Sequence, residues 1–308
     1  MMSQMSGCFY NISLFPEMTP LKEKVVDGKG ANKIALIDIS GFISEQKASG
    51  FIEAADLVSR VKEELKRAAQ DPAMKGIVLR VNSPGGTITA SDLIYHEIRQ
   101  FKKQTGKPVV VSILDLGASG AYYIAMAGDQ VLAHPTSVIG SIGVIMMHVN
   151  FEGLMEKVGV SSESVKSGVN KDLGSPMKAL SPEGRGIMQG IIDNMYGRFL
   201  KVIEEGRPEL SPGRIKELAD GRVYTASEAV ALGLVDGIAY LDQAIDRTKT
   251  LAGIEEAQVI LYTGPGEYKD NIYSRAFEKP ADPLAIWGLD PKQLLRGASP
   301  QFLYLWTP

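Results

Sequence analysis

Three short apolar runs constrain this chain more than any other feature. Residues 34–39 (IALIDI), 76–81 (GIVLRV) and 108–114 (PVVVSIL) are each bounded by turn residues. A run of that length without alternation reads as a strand covered on both faces. Helical segments separate the runs. Ala54, Leu57, Val61, Leu65 and Ala68 recur at helical spacing, residues 87–101 look helical, and a small-residue helix runs on from Ser119 through Ala127. Strands alternating with helices in this way imply right-handed βαβ crossovers and a parallel sheet.

Later helices follow from their start signals. Ser181-Pro182 opens a long one with Met188, Ile192, Met195, Phe199 and Val202 on its apolar face, and Ser211-Pro212 opens another. Residues 226–232 form a short helix ended by Gly233, and residues 242–251 the last helix of the core. The expected organisation is an N-terminal linker over 1–32, a core over 33–252 and a C-terminal extension over 253–308. The extension closes on the aromatic run 302–306 (FLYLW), which wants burial against the core or a neighbouring subunit.

Composition narrows the function. With 308 residues, 44% apolar and 22% charged, the chain can bury a full core without disulfides or a structural metal. A net charge of −3 and the lack of a basic stripe argue against nucleic acid as a partner. No stretch reaches the ~18 apolar residues of a membrane span. Cys8 is the single cysteine. Met5-Ser6-Gly7-Cys8 leaves two readings open: the end of a bacterial lipoprotein signal with its start upstream and Cys8 lipidated, or an incidental cysteine in a linker.

Two glycine-rich strand-to-helix junctions carry the chemistry. Asn82-Ser83-Pro84-Gly85-Gly86-Thr87 places main-chain N–H groups, with no Cβ in the way, at a helix start. Such groups can stabilise an oxyanion. Gly117-Ala118-Ser119-Gly120 presents a serine at the second junction, with the Gly120 amide as a second donor. Each junction alone reads equally as a plain turn or an N-cap serine. Together, at the carboxyl ends of neighbouring parallel strands, they mark a ligand site with Ser119 as nucleophile.

A nucleophilic serine needs a base. Of His96, His134 and His148, only His148 lies in a strand-like run near the sheet. Lysine is the other route, because desolvation can leave its amine neutral. Lys166-Ser-Gly-Val-Asn-Lys171-Asp172 reads as a loop after a short strand, where lysines are usually solvated.

Five elements in order resemble the signal peptide peptidase A family, Ser–Lys peptidases of the ClpP/crotonase superfamily. They are RVNSPGG at 80–86, ASGAYY at 118–123, SVIGSIGV at 137–144, KSGVNKD at 166–172 and GRVYTASEAVALGLVD at 221–236. The resemblance implies an α/β fold of the ClpP/crotonase type, a (ββα)n superhelix with parallel sheets and flanking helices. It implies Ser119 as nucleophile, Lys171 as general base, Ser141 orienting the lysine, and the Gly86 and Gly120 amides as oxyanion hole. On that basis Lys171 is expected to be buried near Ser119 and Ser141. It further implies cleavage of remnant signal peptides and other unfolded apolar segments after small or apolar residues, with the substrate held as an added strand. No cofactor or metal is expected. Assembly into a ring, commonly an octamer with sites completed by neighbouring chains, is expected, as is membrane association on the extracytoplasmic side of a bacterial envelope if Cys8 is lipidated, and a cytoplasmic location if it is not. Three alternatives stand beside this: a ClpP-like Ser–His peptidase using His148, a crotonase-type enzyme acting on acyl-CoA, and a catalytically inactive scaffold protein at the membrane.

Overall fold

The computed structural model describes residues 21–45, 56–264, 270–274 and 301–307. Cys8 and Ala54 lie outside them. The chain opens with β1 (Lys22–Gly28) and β2 (Lys33–Ser40), followed by α1 (Leu57–Gln70), β3 (Met74–Ser83), β4 (Gly85–Thr87) and α2 (Ile88–Thr105). Next come β5 (Val109–Ala118), α3 (Gly120–Ala125), β6 (Gln130–Ala133), β7 (Val138–Gly140), β8 (Ile145–Met147) and α4 (Glu152–Lys157). The remainder is α5 (Pro182–Gly206), α6 (Pro212–Leu218), β9 (Val223–Thr225), α7 (Ala226–Ala231), β10 (Gly237–Ile238), α8 (Leu241–Ala252), β11 (Gln258–Thr263) and β12 (Gln301–Leu305).

The principal sheet runs β1-β11-β2-β3-β5-β6-β10, with β7 alongside β5 and β9 alongside β7. From β11 to β10 every pairing is parallel, as is β5 with β7; β1–β11 and β7–β9 are antiparallel. The fold is therefore the expected α/β type, a mainly parallel sheet with flanking helices.

The three apolar runs are buried on both faces for the reason the sequence gives. Ile77, Leu79 and Val81 of β3 pack into one core with Val61, Leu65, Ile94 and Ile98 of α1 and α2. Val78 points the other way, into a second core with Leu241, Ala244 and Ile245 of α8. Each such fully buried side chain stabilises the fold by about 1.5–3 kcal/mol. Asp56 caps α1 by accepting from Ser59 N at 2.8 Å. Arg80, on the α8 side of β3, is only 2% exposed. Its guanidinium donates to both carboxylate oxygens of Asp38 (2.6 and 2.7 Å) and to the carbonyls of Ile272 and Ser274. It thereby ties the segment 270–274 to the sheet.

Two local expectations are corrected. Residues 22–28, within the stretch read as linker, form β1 on β11. Its sequence, KEKVVDG, carries little apolar signal because the strand is a largely exposed edge. No strand immediately precedes Lys166: residues 159–181 contain only turns and irregular backbone, and Val158, Val160 and Val165 are exposed, so nothing there offers a sheet to join.

A second, three-stranded sheet matters most for function. Its order is β4-β12-β8, antiparallel throughout. The aromatic run of the tail is its middle strand.

Candidate active site

The site is built where β3 and β5 end. At the first junction, Ser83 Oγ donates to Gly41 O at 2.6 Å and accepts from Gly85 N at 3.0 Å, and Asn82 Oδ1 accepts from Leu116 N at 3.1 Å. These bonds fix a turn in which Gly85 has φ +100°, a conformation that disfavours any side chain. Gly86 is required for a different reason. A Cβ there would stand 1.9 Å from Ile43 O, because Ile43 and β4 are bonded through Ile43 N to Gly85 O (3.0 Å) and Thr87 N to Ile43 O (2.8 Å). With its neighbours' polar groups turned toward Ile43, Gly86 points its own N–H into the groove between β4 and β8.

At the second junction Ser119 adopts φ 53°, ψ −115°, one of two non-glycine residues at positive φ among those described. The other is Ser141, at φ 48°. Such backbone is strained and persists only where the surroundings impose it. Here Ser119 N donates to Gly140 O at 2.7 Å, Tyr123 N to Ser119 O at 2.9 Å, and Ser141 N to Arg222 O at 2.7 Å. Ala118 and Gly140 are register partners on β5 and β7, so Ser119 and Ser141 leave adjacent parallel strands side by side.

Ser119 is not a helix cap. Ser181 and Ser211 each accept a bond from the third residue of their helices, at 3.0 and 3.2 Å, whereas Ser119 makes no such bond. Its Oγ is buried and has no hydrogen-bond partner among the described residues. A buried hydroxyl normally finds one, and exceptions concentrate at reactive positions.

The groove beside Ser119 is filled by β12. Trp306 N donates to Pro84 O at 2.9 Å, and two residues along the same ladder Tyr304 stands opposite Gly86. Pairs two apart in an antiparallel ladder are of the same kind, so Gly86 and Tyr304 are partners through their main-chain N–H and C=O. The Tyr304 carbonyl lies against both junctions: its oxygen would be 2.1 Å from a Cβ on Gly85 and 3.2 Å from one on Gly120. On the other edge Leu303 faces Ile145 and Gln301 faces Met147 of β8. The Tyr304 side chain is fully buried. It stacks on Tyr123 (ring centroids 5.2 Å apart, 26° between planes), leans on Phe199 (4.7 Å), and donates its hydroxyl to Met195 O at 2.9 Å. Tyr123 in turn donates to Asp92, which Arg198 also holds. Burial first, then the neighbouring Asp92 carboxylate, raises both phenols well above the ordinary tyrosine value, so both act as neutral donors.

Comparison with known proteins places this geometry. Residues 101–255 match the model of Peptidase family S49. A protein of Enterococcus faecium named for signal peptide peptidase SppA is 34% identical over 86% of this chain and 75% of its own. Protease 4 of Haemophilus influenzae is 34% identical over 76% of this chain and 37% of its own, and the chloroplastic serine protease SPPA of Arabidopsis thaliana 31% identical over 73% and 33%. The chain belongs to peptidase family S49. It is a serine-type peptidase of the signal peptide peptidase A group, and its fold is the one expected of that family.

Of the site residues expected from sequence, Ser119, Ser141, Gly86 and Gly120 converge on one end of the sheet. Lys171 does not join them within this chain. It lies in an exposed loop, its main-chain N–H donating to Gly168 O at 3.1 Å, so the burial expected for it is not found in the single chain. The loop is nevertheless organised. Asp172 takes Lys166 on both oxygens (2.8 and 2.9 Å) and Lys178 at 2.6 Å, and hydrogen bonding to Lys166, then to Lys178, pushes its carboxyl down to about 2. His148, just past β8, points Nε2 at Ser175 O at 3.1 Å and forms no ion pair among the described residues. The loop and His148 line one cavity of about 290 Å³ with Lys166, Asn170 and Ser181.

The pocket around Tyr304 is what sequence reasoning missed. Phe199 was legible on the apolar face of the long helix, and Tyr123 only as part of the 118–123 motif. Nothing in their spacing shows that they enclose a position beside Ser119.

Proposed function

We propose that this S49 peptidase is a Ser–Lys endopeptidase acting on remnant signal peptides and other unfolded apolar segments. Ser119 is the nucleophile, Lys171 the general base, and Ser141 the group that orients the lysine amine. Ser119 Oγ attacks the substrate carbonyl carbon while neutral Lys171 takes its proton. The oxyanion is received by the Gly86 and Gly120 amides, and protonated Lys171 returns the proton to the leaving amine. A water, deprotonated in the same way, then releases the acyl group. The substrate lies between β4 and β8 as an added strand.

One observation carries this reading: a buried, unpartnered serine hydroxyl, held at positive φ beside two glycine amides. The exposure of Lys171 favours a site completed by a second copy, as in a ring of identical chains. Exposed apolar side chains in the same region, Val160, Val165, Val169 and Met177, fit a surface that meets another copy. Attachment to the outer face of a bacterial membrane through a lipid on Cys8 belongs to the same reading. No helix among the described residues is long and apolar enough to cross a membrane.

Complementation tests the dyad. Ser119→Ala and Lys171→Ala chains are each inactive, and mixing them after dissociation restores a fraction of wild-type turnover. His148→Ala stays active. An inactive His148→Ala together with an active Lys171→Ala would replace the lysine by the histidine. Failure of the mixture alone would place the lysine in the same chain as its serine.

A further inference from the structure

The loop that carries Lys171 is not held by a core. From Phe151 to Glu183, Gly174 is the one buried residue. Hydrogen bonds set the loop's position instead, and three of them run to the stretch that leaves β8. His148 Nε2 lies 3.1 Å from Ser175 O. A carbonyl oxygen can only accept, so Nε2 carries the proton and donates it. Phe151 N donates to Pro176 O at 2.7 Å. Ala179 N donates to Glu152 Oε2 at 2.8 Å, and the Glu152 N–H donates in turn to Asn150 Oδ1 at 2.9 Å. The contacts fall in chain order on both sides, so the two segments lie along one another. The loop's own turns carry this tie to the lysine: Ser175 N donates to Asp172 O at 3.0 Å, and Lys171 N to Gly168 O at 3.1 Å. At the far end Ser181 Oγ accepts from Gly184 N at 3.0 Å and fixes the start of α5.

β8 is one wall of the groove assigned above to the substrate, and it ends at Met147, next to His148. Groove wall and lysine loop are therefore one hydrogen-bonded unit. Resting on the reading of Lys171 as the general base, we propose that Glu152 and His148 are positioning residues for it. They touch neither the substrate nor the reacting atoms. They fix the backbone of 175–179, and through it the place at which Lys171 is presented to a serine, in its own chain or in a neighbouring copy. Glu152 is the stronger tie, because a hydrogen bond to a carboxylate is roughly twice as strong as a neutral one. A base loop that lies over a cavity of about 290 Å³ rather than on a core depends on such bonds. They must hold the amine within about 1 Å of where the reaction needs it. His148 thereby has a role other than that of a base, since its Nε2 proton is engaged at Ser175 O.

Kinetics and hydrogen exchange on the full chain test this. On a fluorogenic peptide with an apolar residue before the scissile bond, Glu152→Ala lowers kcat about tenfold or more and leaves KM within about twofold, because the base is displaced and the groove is not. Glu152→Gln keeps an oxygen that accepts from Ala179 N, and so retains at least about half of kcat. His148→Ala loses one neutral hydrogen bond, costs about two- to tenfold in kcat and stays active. Amide exchange over residues 166–178, followed by mass spectrometry, quickens in Glu152→Ala and not in Glu152→Gln, while exchange in β3 and β5 stays at the wild-type rate. Full kcat in Glu152→Ala, or a loss in Glu152→Gln as large as in Glu152→Ala, overturns the positioning role. Unchanged loop exchange in Glu152→Ala overturns the tie. If circular dichroism shows Glu152→Ala unfolded, His148→Ala decides, and full kcat with unchanged loop exchange there overturns the proposal. If Lys171→Ala keeps its activity, the dyad fails on its own account, and the exchange result still decides the tie.

Discussion

Replacing Gly86 by alanine should disable catalysis in a chain that still folds. The backbone conformation of Gly86 is ordinary, so the effect comes from space. The new Cβ would lie 1.9 Å from Ile43 O and 2.6 Å from Ile43 N and C, all main-chain atoms that cannot rotate away. To reach an ordinary contact, β4 must move by about 1 Å or more from Ile43, and displacement on that scale at a reacting centre can cost ~10²-fold. Loss of one oxyanion donor costs ~10²–10³-fold in kcat, about 2.7–4 kcal/mol. The two effects share one motion and do not add, so the expected loss in kcat is ~10²–10³-fold. Overpacking costs about 1–3 kcal/mol of stability, which a core of this size tolerates. The assay is steady-state cleavage of a fluorogenic peptide with an apolar residue before the scissile bond, beside thermal unfolding followed by circular dichroism. Gly106→Ala is the control: Gly106 has φ +64° at the end of α2 with nothing within 4 Å of a Cβ, so it loses about 1 kcal/mol of stability and no activity. A folded Gly86→Ala chain keeping more than a tenth of kcat would refute the role given to this amide.

Other consequences follow from the charged groups. Asp38→Ala leaves the Arg80 guanidinium buried without its carboxylate and should cost about 3–5 kcal/mol in urea unfolding; a loss under about 1 kcal/mol would show that the Ile272 and Ser274 carbonyls suffice. Asp172 titrates below the ordinary carboxylate range, so its contribution to the lysine loop is complete above the unfolded value of 3.8 and is lost as pH falls through about 2. Carbon-13 NMR should find the Asp172 midpoint near 2, rising in Lys166→Ala; a midpoint near the ordinary value would mean that the ion pairs do not form in solution. Asp172→Asn, which frees Lys166 and Lys178, should lower kcat while leaving the core's melting temperature unchanged, since all three side chains lie outside the core.

The principal sheet was legible because it is buried on both faces, which forces continuous apolar runs at 34–39, 76–81 and 108–114. The helices were legible through Ser181-Pro182, Ser211-Pro212 and Gly233. Edge and groove strands were not. β1 is mostly solvated and needs no apolar pattern, while β4 and β8 have only three residues each, too few for any period to register. The burial demanded by the tail aromatics was readable, but its location depends on a main-chain ladder that side-chain chemistry does not encode. Ser119 read equally as cap or nucleophile. The structure separates the two by a missing bond, since Ser181 and Ser211 cap their helices and Ser119 does not. Lys171 was named by resemblance, and its loop is exposed in the single chain, as the residues alone implied.

The proposed mechanism stands or falls with Ser119 as the nucleophile of this S49 peptidase. Its most direct test is mass spectrometry of the purified protein after reaction with a fluorophosphonate probe. The tryptic segment that contains Ser119 also contains Ser112, Ser137 and Ser141, so fragment spectra must place the adduct. A single adduct on Ser119, absent from Ser119→Ala, is the expected result. An active preparation that is modified at another serine, or is still labelled in Ser119→Ala, would contradict it.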